Sequence, residues 1–358
     1  MEFETILRAA ESAEASDVIV KSEGIPSFKV HGVWQRPTES QSIPALVVSD
    51  WAAAMMPPPL AEQYRREGSV DFAISSSSGR RFRVSLFRQM GMVGMVLRTL
   101  PRSPGRLDKL GIPSSFAKTI LQSTRGLALV TGVTGSGKSS TISAVLQVIN
   151  QSRACHVITI EDPIEFVFKD EMATFQQREI GQDAASFPVA LRAALRQAPD
   201  IIFVGELRDR ETVETAMHAA NTGHLVVSTL HTKDAGDSLG RILSYFEPRE
   251  QELVRKNLAE SMLLTLSQRL VQRADAPGLT AACEVMVCTS YVRKLILESS
   301  PTSEVVDAIK NGSKYGMVTF DQSLFSLFQQ GIISRDEALL QASSRQDLEL
   351  MLDGIQHS

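Results

Sequence analysis

Residues 131–141 read TGVTGSGKSST, and within them Gly132, Val133, Thr134, Gly135, Ser136, Gly137, Lys138 and Ser139 follow the spacing G-x-x-x-x-G-K-S, with Ser140 next. Glycines at these places let the backbone curl so that successive N–H groups converge on phosphate oxygens. The lysine then reaches the outer phosphates, and the Ser139 hydroxyl suits a magnesium ion. ATP and Mg²⁺ are the expected ligands, provided that a buried strand leads into the loop and a helix leads out. GLALVTG (126–132) is a short apolar run ending in glycine, and Ile142, Val145, Leu146 and Ile149 recur at helical spacing after the loop.

Three further apolar runs end in polar or acidic residues. HVITIEDPIEF supplies Glu161, Asp162 and Glu165; DIIFVGELRD supplies Glu206 and then Arg208; HLVVSTLHT supplies His231, with His224 at its start. In an open α/β sheet, ligands bind beyond the carboxyl ends of the strands. Acids placed there near a bound triphosphate fit magnesium, directly or through water, and the positioning of an attacking water. Each has a plainer use. Glu161 or Asp162 suits a cap, Asp162-Pro163 opens turns, and His231 serves either as a structural residue or as a sensor of the outermost phosphate.

These positions need a scaffold, and the chain is long enough to supply two domains. It has 358 residues, of which 43% are hydrophobic. No apolar run approaches the roughly 18 residues of a spanning helix, and the start MEFETILRAAESAEASD is acidic, so a cytoplasmic protein is expected. Cys155, Cys283 and Cys288 form no C-x-x-C pair, which disfavours a disulfide framework or structural zinc. A net charge of −4 gives no general attraction for nucleic acid. Charge is uneven, however. Arginines 65, 66, 80, 81, 83, 88, 98 and 102 fall between Tyr64 and Ser103 with no lysine among them. Guanidinium groups clamp phosphate or carboxylate bidentately, so part of this cluster suits a neighbour's nucleotide, the alternative being a solvated strand face.

The first hundred residues read as an α+β unit. FETILRAAESA is helical in pattern, SDVIVKS, PSFKVHG and VWQRP alternate as strands around a His31-Gly32 turn, one helix is expected around 46–66, and RRFRVSLFRQ and MVGMVLRTL close the unit. PRSPGRLD (101–108) is the strongest linker signal. Domains are therefore drawn at 1–100, a linker at 101–110, and 111–358. In the last, strand and helix alternate as in a parallel sheet covered on both faces.

Taken together, GVTGSGKSS, ITIEDPIEF, QREIG with ALRAALRQAPD, IIFVGELRD and ANTGHLVVSTLHT resemble the Walker A, Asp box, linking segment, Walker B and His box of the secretion ATPase superfamily. The resemblance runs essentially end to end and is to the type IV pilus retraction ATPases, the PilT/PilU family. GRRFRVSLFRQ, VGMVLRTL and YGMVTFDQSLFSLFQQGIISRDEALLQAS are similar to the PilU type. The resemblance implies a PAS-like N-terminal domain and a RecA-like P-loop ATPase domain, assembled as a homo-hexameric ring. It implies ATP bound between the two domains and reached by a neighbouring subunit, and ATP hydrolysis that drives pilus retraction and twitching motility. It also implies docking at the inner-membrane base of the pilus machine on the platform protein, with a PilT-like paralogue as a further partner. Carried over by residue, Lys138 and Ser139 hold phosphate and Mg²⁺ and Glu206 is the Walker B acid. Glu165 is the water-activating glutamate, His224 and His231 form the His box, and Arg81, Arg83 and Arg98 approach the nucleotide.

Departures from the family pattern narrow the expectation. Three scattered cysteines disfavour the tetracysteine site of extension ATPases, and their extra N-terminal domains are not expected. TSYVRKLILE (289–298) keeps Val292-Arg293 and Leu295-Ile296 of the retraction motif but has Tyr291 at its small-residue position and Leu297 where arginine is usual. This favours an accessory, PilU-type role. Two alternatives stand beside it: an ATP-binding ring subunit without its own turnover, and a RecA-type nucleic-acid motor.

Overall fold

The computed structural model describes residues 2–37, 41–101 and 103–354. Arg102 of the arginine cluster lies outside them. The chain divides into two compact units. One comprises Met1–Pro104 with Ile160–Phe168 and Gln177–Ala190; the other comprises Gly105–Thr159, Lys169–Gln176 and Leu191–Ser358.

The first unit is built on strands β1 (Asp17–Lys21), β2 (Ser27–Val30), β3 (Val33–Gln35), β4 (Ser69–Ser75), β5 (Arg81–Gln89) and β6 (Met92–Thr99), in the order β3-β2-β1-β6-β5-β4. All the neighbouring pairs are antiparallel. Alternation assigns the faces of β5: Phe82, Val84 and Leu86 are buried, while Arg81 and Arg83 stand on the other face. The buried face packs on helices Phe3–Ser12, Ala45–Met55 and Leu60–Glu67 through Ile6, Leu7, Val48 and Leu60. The single helix expected around 46–66 is thus two. Pro57, Pro58 and Pro59 interrupt it, since proline lacks the N–H that a helix interior needs and its ring clashes with the preceding turn. Strand β4 escaped the sequence reading because its second half runs into the serines of AISSSSG.

The remaining strands are β7 (Gly126–Thr131), β8 (His156–Glu161), β9 (Thr174–Glu179), β10 (Ile201–Val204), β11 (Leu225–Leu230), β12 (Met262–Gln272) and β13 (Leu279–Val287). They form one sheet in the order β13-β12-β7-β11-β10-β8-β9. The pairs β10·β11, β11·β7 and β7·β12 are parallel, as the strand-helix alternation predicts, and β13 is added antiparallel. Every residue of β7, β10 and β11 is buried, the mark of strands covered on both faces.

Candidate nucleotide site

The loop that follows β7 leads directly into helix Lys138–Ser152, whose N-cap is Gly137 at φ +89°. Gly132 has φ +148°, and a Cβ there would lie 2.4 Å from Ser136 Oγ and 2.5 Å from the Gln268 carbonyl oxygen. Only glycine fits such a place. Strand β12 holds both flanks of the loop. Thr131 Oγ1 donates to Ser267 Oγ at 2.9 Å, and Gln268 Nε2 donates to the Ser136 carbonyl at 2.6 Å. Gln268 is a site residue that the sequence reading missed, since a glutamine within a strand carries no local signature.

Beyond the loop the chemistry converges. Lys138 Nζ donates to the carbonyls of Gly132 at 2.7 Å and Val133 at 3.2 Å, and lies 3.4 Å from His231 Nδ1. An ammonium group only donates, so Nδ1 is the acceptor in this contact. The ring's Nε2 faces Glu206 Oε1 at 3.4 Å. Arg208 Nε donates to Glu206 Oε2 at 2.7 Å. Burial pulls the Lys138 ammonium below its ordinary pKa, and the Glu206 charge opposes the shift.

The strand ends are stitched so that this relay forms. Ser228 Oγ and Thr229 Oγ1, on β11, donate to the Val204 and Gly205 carbonyls at 2.6 Å each. Leu207 N–H returns to the Thr229 carbonyl at 3.2 Å. Glu206 and His231 therefore leave adjacent strands side by side. His224 is not brought to this cluster. It precedes the amino end of β11, and its Nδ1 is 3.1 Å from the Ala219 carbonyl. Thr134 and Gly135 are exposed on the loop, and in the first turn of the helix Ser139 is exposed and Ser140 half-buried.

The other expected residues lie in the first unit. Arg83 and Arg98 are directly opposite each other across β5 and β6. Arg98 Nε donates to Asp17 Oδ1 at 3.0 Å, and Arg83 Nη2 is 3.9 Å from Asp71 Oδ2. The two arginines are cross-strand neighbours, and each guanidinium has a carboxylate partner on the strand at its outer side, Asp17 on β1 and Asp71 on β4. Arg81 is instead engaged internally, donating to Glu179 and to the Ile164 carbonyl. Glu165 is half-buried, and its carboxylate makes no hydrogen bond or ion pair among the described residues. Among the described residues no cluster of three or more acidic, histidine or cysteine side chains forms a resident metal cage. The exposed Ser139 hydroxyl and the single Glu206 carboxylate instead suit a magnesium ion that arrives with the phosphates and keeps most of its waters.

A glycine-lysine-serine loop between a buried strand and a helix, with an acid and a histidine at the carboxyl ends of neighbouring parallel strands, defines a P-loop nucleotide-binding protein. Residues 3–319 match the Type II/IV secretion system protein family, and the chain belongs to it. It is 37% identical over 356 residues to the type IV pilus ATPase PilU of Pseudomonas aeruginosa, covering 98% of this chain and 91% of that protein. It is also 37% identical over 342 residues to the type IV pilus retraction ATPase PilT of the same organism, covering 94% and 97%. The crystal structure of the pilus retraction motor PilT with bound ADP superposes with a TM-score of 0.88 at 37% identity, over 98% of this chain and 99% of that one. The equal identities do not separate the PilU from the PilT relative.

Proposed function

We propose that this chain is an ATPase that powers type IV pilus retraction. The observation that carries the reading is the relay Lys138–His231–Glu206 beside a glycine loop, in a member of a family whose solved relative binds ADP. Phosphate oxygens take over the Lys138 protons now given to Gly132 and Val133, and loop amides bind the rest. Magnesium, held through Ser139 and Glu206, supplies charge neutralisation to the phosphates when bound. His231 sits where the loss of the outer phosphate alters a hydrogen bond to Lys138, and Glu206 fixes its tautomer. Glu165 takes the proton of the attacking water as its oxygen bonds to the γ-phosphorus and the bond to the β–γ bridging oxygen breaks. Arg83 and Arg98 meet the transferring charge in a ring hexamer, where hydrolysis becomes domain movement against the platform protein at the inner membrane. Among the described residues no helix is long and apolar enough to cross a membrane, which fits a cytoplasmic motor docked peripherally.

The PilU-type, accessory role has its own support. In helix Ser290–Glu298 three of the residues kept from the retraction motif, Val292, Leu295 and Ile296, are buried, and the fourth, Arg293, is exposed with its Nε donating to the Ala259 carbonyl at 2.7 Å. The departures are outer: Tyr291 is 55% and Leu297 48% exposed. They leave the helix intact and alter what a partner meets. The reading is tested by purified protein. Wild type hydrolyses ATP without stimulation by DNA or RNA, and Lys138→Ala does not. In cells, deletion of the gene leaves pili extended and stops twitching, and a catalytically dead copy does not restore it. Failure of wild type to turn over ATP overturns the proposal.

A further inference from the structure

We propose that Glu179 and Arg81 are positioning residues: together they clamp the peptide beside Glu165, and this is how Arg81 serves the reaction. The inference rests on the ATPase reading above, with Glu165 as the water-activating carboxylate.

Ile164 is a buried residue, so its backbone groups need partners within the protein. Its N–H donates to Glu179 Oε2 at 3.1 Å. Its carbonyl accepts from Arg81 Nη2 at 3.2 Å, and the same nitrogen is 3.3 Å from Glu179 Oε2. Carboxylate, guanidinium and the two backbone groups of Ile164 close a ring that joins β5, the end of β9 and the segment after β8. Glu179 is itself fixed. It is 4% exposed, its N–H donates to Asp183 Oδ2 at 2.8 Å, and its Oε1 accepts from Gln182 Nε2.

The pattern continues along β9. Two residues earlier, Gln177 Nε2 donates to the Phe166 carbonyl at 2.7 Å and Gln177 Oε1 accepts from the Phe168 N–H at 2.8 Å. Side chains 177 and 179 thus grip residues 164, 166 and 168, every second position, and Glu165 lies between two gripped peptides with its own carboxylate uncommitted. A glutamine at 179 would satisfy the Ile164 N–H equally well. What a buried glutamate adds is the pairing with Arg81, and an unpaired charge there is costly. The charge pair is therefore what rigidifies the peptide next to the reacting group, where small misplacements lower rate steeply.

The test measures kcat, the Kd for ADP by calorimetry, and hydrogen exchange of peptides spanning 163–168. Glu179→Gln and Arg81→Ala each lower kcat roughly tenfold to a hundredfold, leave ADP affinity within about twofold, and speed exchange at 163–168. Arg81→Lys, which keeps the charge, retains more turnover than Arg81→Ala. The double variant is no slower than the slower single variant, because both break one ring. Wild-type turnover or unchanged exchange in Glu179→Gln overturns the clamp, as does a double variant whose losses multiply, which would make Arg81 act on its own. Lys138→Ala and Glu165→Gln run alongside. An inert wild type overturns the ATPase reading and with it the role of the clamp. Loss of turnover in Lys138→Ala beside normal turnover in Glu179→Gln overturns the clamp alone, and normal turnover in Glu165→Gln removes the group it was to position.

Discussion

The Nδ1 atom of His231 lies 3.4 Å from the ammonium nitrogen of Lys138, and its Nε2 faces the Glu206 carboxylate. The ring thus faces the loop lysine at one edge and the acid that follows β10 at the other. His231→Ala is expected to lower kcat by roughly tenfold or more while changing ADP affinity less, because the loop amides and Lys138 remain. Glu206→Gln is expected to bind ADP and to lose turnover. Steady-state hydrolysis with calorimetry checks both, and a Glu206→Gln protein turning over at the wild-type rate shows the acid to be misassigned.

Arg83 and Arg98 are cross-strand neighbours. Asp17 and Asp71 offset their charges in the chain as it stands, and phosphate oxygens would compete for the same guanidiniums. Removing either by alanine is expected to leave folding intact and to cut turnover by on the order of 10³-fold, the scale of an arginine finger. Nucleotide affinity should fall far less. An unchanged kcat returns these residues to an ordinary solvated surface.

Gln268→Ala removes the donor to the carbonyl of Ser136, a buried residue of the loop. The expected cost is about 1–3 kcal/mol in stability, the price of a buried acceptor left without a partner. ADP affinity should weaken as the loop loses its brace, while Gln268→Glu, which cannot donate when ionised, should fare no better. Thermal melts with and without ADP read out both effects.

Glu284 offers a pH dependence. Burial pushes its carboxyl up to about 7; the Ala235 N–H and Arg269 pull the other way, and Asp234 and Asp321 reinforce the rise. The folded chain then holds a proton that the unfolded chain, with an ordinary value of 4.5, has already released. This contribution to stability is full below about pH 4.5 and is lost as pH rises to about 7. Glu284→Gln keeps an acceptor for Ala235 and abolishes the dependence. Above neutrality it should be more stable than wild type, by up to about 3 kcal/mol. Denaturant titrations at about pH 5 and about pH 8 decide it, and parallel curves for the two proteins contradict the assignment.

What the sequence made legible was whatever local chemistry compels. Gly132, Gly137, Lys138 and Ser139 could be read because the loop's backbone tolerates few alternatives, and the strands that lead to the loop, to Glu161, to Glu206 and to His231 because strands covered on both faces are predominantly apolar. The paired helices at 45–67 were misread as one although Pro57–Pro59 stood in plain view; the apolar pattern continued across them. Gln268 and Glu179 were invisible for another reason. Gln268 acts on Ser136, 132 residues away, and Glu179 meets Arg81, 98 residues away. Such pairings come from register and packing, to which neither residue's neighbours in the chain contribute a signal. His224 shows the converse: its neighbourhood in sequence suggested the site, and the six residues of β11 carry it to the far end of the sheet.

Strand β12 has one more bearing. Gln268 braces Ser136, and the very next residue, Arg269, donates to the Gln341 carbonyl at 2.7 Å and stacks 3.9 Å from the Phe320 ring centre. Successive residues point to opposite faces of a strand, so one pleat separates the phosphate loop from the C-terminal helices. A chain trimmed ahead of Gln341 strips a half-buried guanidinium of its acceptor, and the resulting strain falls on the rung that steadies the loop. Trimming or tagging that tail is therefore expected to reach the glycine loop through a single rung of β12.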